Sequence, residues 1–105
     1  MGNASPITSI KQILEAETPI LLYFRADWCP VCKEMDRVAH DLGIQFSGRL
    51  QVLTVDAEES YPLAKEYGVT AVPTFILFVN GSAKTRMTGQ HSRSDLARLI
   101  RLYVY

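Results

Sequence analysis

Trp28-Cys29-Pro30-Val31-Cys32-Lys33 carries both cysteines of a 105-residue chain, two residues apart, between an apolar strand and the head of a helix. Thiols at i and i+3 on a first helical turn can join as a disulfide or part as a dithiol with little backbone motion, so the spacing is that of a redox switch. Upstream, Ile20-Leu21-Leu22-Tyr23-Phe24 is short and continuously apolar, which predicts a central strand buried on both faces. Downstream, Met35, Val38, Ala39 and Leu42 trace one apolar stripe while Lys33, Glu34, Arg37 and Asp41 stay off it. A helix from Cys29 to about Gly43 follows, with Gly43 as its stop.

Farther out, Ser5 and Pro6 read as an N-cap and first helical position, with Ile7, Ile10, Ile13 and Leu14 at helical spacing as far as Glu17. Leu50 to Val55 reads as a strand, and Ser60-Tyr61-Pro62 opens a short helix ending at Gly68. The β-α-β order implies parallel pairing with a right-handed crossover. Phe75-Ile76-Leu77-Phe78-Val79 is a second apolar strand, and Asn80-Gly81 turns it into a hairpin. Its partner, Ala83 to Thr88, is polar and predicts an edge strand. Gly89 ends it, and Ser94 caps a last helix buried through Leu96, Leu99, Ile100 and Tyr103.

Composition narrows the function classes. Apolar residues make 48%, charged residues 21%, and eleven Lys+Arg balance eleven Asp+Glu, the profile of an ordinary globule. Residues 1–105 read as a single domain. Zero net charge argues against nucleic acid or an anionic membrane as the main partner, leaving a protein or small thiol. The first six residues lack a basic n-region and an apolar h-region, and the apolar runs are of strand length, so neither a signal peptide nor a membrane span is expected. Taken as complete, the chain reads as cytoplasmic and monomeric; a domain of a periplasmic or tethered parent would read the same.

Two structural readings of the cysteines compete with redox chemistry. A bridge closing so short a loop contributes only about 1.9 kcal/mol on the chain-entropy model, against about 4.7 for a hundred-residue loop, so it is a poor staple. Structural zinc wants four ligands, and His40 and His91 stand alone, so neither a metal nor another cofactor is expected.

The element order, with Ala26-Asp27-Trp28-Cys29 and Cys32-Lys33 ending the first strong strand, resembles the thioredoxin family. Val55-Asp56, Tyr67-Gly68-Val69, Val72-Pro73-Thr74, Asn80-Gly81 and Gly89 extend the likeness over nearly the whole chain. Cys29 followed by Cys32-Lys33-Glu34-Met35-Asp36 looks most like the C-terminal thioredoxin-like domain of the DsbD membrane thiol transporters. The resemblance implies a three-layer α/β/α sandwich with a central mixed sheet, in which the dithiol faces a cis-proline at Pro73. It also implies that Val72 pairs with a substrate backbone, with Trp28 and Thr74 in the substrate-binding surface. Three positions depart from the family pattern. Proline stands at Pro30, one place early; Tyr23 and Val52 replace a buried aspartate and its lysine neighbour; and Arg37 replaces a helix-kinking proline.

At a helix N-terminus, Cys29 faces unsatisfied N–H groups that favour its thiolate, which makes it the attacking and more exposed cysteine. Cys32, a turn further in, is the resolving one. Asp36 lies four residues on, on the same helix face, and is the candidate acceptor for its proton; the alternative for Asp36 is a surface pair with His40. Tyr23 reads as core filling, and Lys33 as a solvated lysine that could also favour the thiolate. The expected activity is a thiol-disulfide oxidoreductase working as a reductase of protein disulfides. An upstream thiol reductant, either a reductase or a membrane thiol carrier, would recharge it. The alternative is a non-catalytic module that holds a partner through the Pro73 surface.

Overall fold

Period-two alternation along the apolar strands decides where the core lies. In the computed structural model, which describes residues 5–6 and 10–104, the elements run β1 (Ser5–Pro6), α1 (Ile10–Leu14), β2 (Ile20–Arg25), α2 (Pro30–Gln45), β3 (Gln51–Asp56), α3 (Tyr61–Glu66), β4 (Thr74–Val79), β5 (Ser82–Thr88) and α4 (Arg93–Ile100). One face of the sheet presents Leu21, Tyr23, Phe75 and Leu77 to Met35 and Leu42 of α2 and to Leu96 and Ile100 of α4. The other presents Leu22, Phe24, Ile76 and Phe78 to Ile13 of α1 and Leu63 of α3. Strands buried on both sides cannot alternate in polarity, which is why β2 and β4 read as continuous apolar runs.

The sheet order is β1-β3-β2-β4-β5, with β2 central as expected. β2 runs parallel to β3, pairing Tyr23 with Thr54, and antiparallel to β4, pairing Tyr23 with Phe75. This is a three-layer α/β/α sandwich on a mixed sheet. The Asn80-Gly81 turn takes positive φ at both residues, 52° and 80°, and delivers β5 to the sheet edge. Among the described residues, no helix is long and apolar enough to cross a membrane.

The structure corrects five of the sequence readings. Ser5 and Pro6 do not start a helix: they pair with Leu53 and Thr54 of β3 at the sheet edge, the place in a sheet where proline is tolerated. Residues 7–9 lie outside the described set, and Leu14, assigned to the apolar stripe of α1, is exposed. Gly43 is a buried residue inside α2 rather than its stop. Leu42 and Phe46, four apart, both enter the core and carry the helix another half turn, and Gly48 takes the left-handed conformation at φ 85°. The last helix is capped by Ser92, not Ser94, since the Asp95 N–H donates to Ser92 Oγ at 3.1 Å. Beyond Ile100 the Leu102 and Tyr103 N–H groups make i→i+3 bonds while the Val104 N–H returns four residues to Ile100; Val104 enters the core and Tyr103 faces outward.

Candidate active site

Cys29 is the N-cap of α2, and its sulfur accepts the Cys32 N–H at 3.2 Å. Pro30 fits the first helical position because no N–H is needed there. The helix therefore begins on a sulfur rather than a hydroxyl or carboxylate, and its positive end is turned on that atom. Both cysteines are free thiols. Cys32 is closed to solvent at 0% exposure, while Cys29 keeps 5%, so the expected order holds but Cys29 is itself largely enclosed. Ala26 and Val72 pack around the pair.

The Val72–Pro73 peptide bond is cis, and the Val72 carbonyl oxygen stands 3.9 Å from Cys29 Sγ. The loop is tied on both sides. Gly89 N–H donates to the Pro73 carbonyl at 2.9 Å, and Thr74 Oγ1 donates to the Ala71 carbonyl at 2.7 Å. Thr74 was expected at the substrate surface; at 2% exposure, with its hydroxyl spent on Ala71, its side chain braces the loop from beneath instead. Trp28 is 67% exposed and its indole N–H donates to Glu58 at 3.2 Å. Between Trp28, Tyr61, Val69 and Val72 lies an open groove of about 140 Å³; two of these residues, Trp28 and Val72, adjoin Cys29 in the chain and in the core respectively.

Asp36 does not pair with His40. Its Oδ1 accepts from Tyr23 Oη at 2.7 Å and from Arg25 Nε at 2.9 Å, and the same guanidinium reaches Asp27 at 2.9 Å. Tyr23 fills the core as read, its ring stacked on Phe75 with centroids 4.7 Å apart, but its hydroxyl reaches the site and lies 3.0 Å from the Cys32 carbonyl oxygen. Arg25 was missed by the sequence reading. Period-two alternation puts Arg25 on the same strand face as Tyr23, the face that α2 covers, but does not say which α2 residue it meets. Burial pushes the Cys32 thiol up to about 11, with Cys29 adding to the rise and the Ala26 backbone and the Tyr23 hydroxyl opposing it. The Tyr23 phenol is itself driven well above its ordinary value, first by burial and then by Asp36.

A family model described as Thioredoxin matches residues 8–102. The chain belongs to the thioredoxin family. A thioredoxin of Rickettsia felis is 31% identical over 95 residues, covering 90% of both chains. The chloroplastic thioredoxin M5 of Oryza sativa is 32% identical over 92 residues, covering 88% of this chain and 54% of that protein. Among solved structures, a mutant thioredoxin from Halobacterium salinarum superposes with a TM-score of 0.83 at 29% identity, covering 96% of this chain and 88% of that one. The thioredoxin of Malassezia sympodialis gives 0.87 at 27% identity, over 98% and 92%. With the C-x-x-C centre, this membership makes the protein a thiol-disulfide oxidoreductase that reduces protein disulfides.

Proposed function

We propose that Cys29 attacks and Cys32 resolves, within one domain spanning residues 1–105. The observation that carries the reading is the Cys32 N–H aimed at Cys29 Sγ from the first turn of α2, which favours negative charge on that sulfur. The Cys29 thiolate attacks a substrate disulfide, forming a Cys29–substrate bond; the second substrate sulfur leaves with the electron pair and takes a proton. Cys32 then loses its proton and attacks Cys29 Sγ. The Cys29–Cys32 bond forms, the remaining substrate thiol departs, and two electrons have passed from protein to substrate.

Val72 and Pro73 present backbone to the substrate and Trp28 walls the groove beside it. A peptide laid along Val72 would bring its sulfur to Cys29, because the Val72 carbonyl already stands beside that atom. Asp36 takes the Cys32 proton. Burial of Cys32 disfavours its thiolate, so the thiol is protonated at neutral pH and resolution needs a base. An upstream thiol reductant recharges the disulfide, which favours a reducing compartment such as the cytoplasm. All the groups invoked come from one chain, which is compatible with a monomeric working unit.

Dithiothreitol-coupled insulin reduction tests the roles. Cys29→Ser is expected to abolish turnover, and Cys32→Ser to abolish it while accumulating a mixed disulfide on Cys29. A mixed disulfide trapped on Cys32 in the Cys29→Ser variant, with none on Cys29 in Cys32→Ser, would contradict the assignment, and an unmodified chain with no rate above background would leave only a binding module.

A further inference from the structure

A buried tyrosine that only filled space would serve as well as phenylalanine, yet the Tyr23 hydroxyl reaches two groups of the site at once. It donates to Asp36 Oδ1 at 2.7 Å and lies 3.0 Å from the Cys32 carbonyl oxygen, at the residue whose proton must leave. The phenol sits inside the core while Asp36 is 41% exposed, so the pair joins an enclosed sulfur to a carboxylate that water can reach. We propose that Tyr23 relays the resolving proton: Cys32 Sγ gives its proton to the phenol oxygen as the phenol passes its own to Asp36 Oδ1.

The step balances without a phenolate. It leaves a Cys32 thiolate, a neutral Tyr23 whose O–H now points at sulfur, and a neutral Asp36 that returns its proton to solvent. The thiolate then forms the Cys29–Cys32 bond and the electron pair leaves on the substrate sulfur. A phenol so reluctant to ionise suits a concerted relay, since it never has to hold charge. The groups facing this path are Cys29 and Tyr23 against Cys32, and Tyr23 and Arg25 against Asp36, with Asp27 sharing Arg25. From the neighbouring strands, Phe75 and Thr54 stand opposite Tyr23 and carry no charge. The relay rests on the proposal that Cys32 resolves and Asp36 accepts.

An aryl disulfide probe, dithiobis-nitrobenzoate, separates the two steps. Reduced protein releases one thionitrobenzoate when Cys29 attacks and a second when Cys32 resolves. In Tyr23→Phe the ratio of second-phase to first-phase rate is expected to fall about a hundredfold near neutral pH. The gap should close as pH approaches the range where Cys32 ionises unaided. Asp36→Asn should behave alike, and the double variant should be no worse than the worse single one. An unchanged ratio in Tyr23→Phe, or a loss of equal size at every pH, overturns the relay; if Asp36→Asn alone lowers the ratio, the carboxylate works through water instead. A loss in Tyr23→Phe with none in Asp36→Asn reduces the phenol to a hydrogen-bond donor and also overturns it. Failure of the unsubstituted protein to release the second group would refute Cys32 as the resolving thiol, a distinct outcome. Should Tyr23→Phe not fold, the unsubstituted protein still decides. A second-phase rate that bows with deuterium fraction means two protons in flight, and a straight line contradicts the relay.

Discussion

Thr74 shows how a residue near the chemistry can act without meeting the substrate. Its hydroxyl donates to the Ala71 carbonyl and lies 3.3 Å from Thr88 Oγ1, tying the turn before Pro73 to β4 and β5. Thr74→Val keeps the shape and removes the bond to that carbonyl, which should cost about 0.5–1.5 kcal/mol in urea unfolding. Activity should fall through KM, because the loop that would present Val72 is loosened; a stability change below a few tenths of a kcal/mol would contradict the brace. The dithiol and the proline loop were legible as motifs because their chemistry is written in contiguous residues. The Arg25–Asp36–Tyr23 contact was not, since it joins a strand to a helix across the sheet face, and Asp36 alone suggested a local i+4 partner just as well.

At the scale of elements, the turn and the cap carry the sharpest expectations. Gly81 sits at φ 80°, and a Cβ there would meet the Leu14 carbonyl oxygen at 3.2 Å. Gly81→Ala should therefore destabilise by about 1–2 kcal/mol from the left-handed backbone alone. Ser92→Ala removes the bond from the Asp95 N–H and should cost about 1 kcal/mol. Denaturant midpoints measure both, and a neutral Ser92→Ala would place the cap elsewhere. The β2, β4 and hairpin readings succeeded because apolar runs and Asn-Gly are local signals. Ser5-Pro6 failed because its signature is equally that of a helix start, and only the free edge of β3, some fifty residues on, turned it into a strand. Ser94 failed by two residues because serine at either site caps equally well by type; the buried set led by Leu96 and Ile100 selects the register.

At the scale of the whole molecule, the redox state couples to stability. The Cys32 thiol rises from 9.0 to about 11 on folding, so the folded reduced protein prefers the protonated form. Its contribution is complete below about pH 9 and is lost as pH climbs through about 11, amounting to about 3 kcal/mol. Reduced protein should thus weaken over that window by more than oxidised protein, in which Cys32 has no proton to lose. Parallel pH profiles of urea unfolding for the two forms would contradict that burial. The sandwich itself was legible because each strand buried on two faces demands helices on both sides. The enclosure of Cys29 was not, because it depends on how closely the Pro73 loop folds back over α2.

The central claim, that charge gathers on one sulfur at the start of α2, is tested most directly by alkylation. Reduced protein treated at neutral pH with limiting iodoacetamide, quenched and mapped by mass spectrometry, should carry the label on Cys29 and leave Cys32 unmodified. Label appearing first on Cys32, or on both at equal rates, would contradict the account.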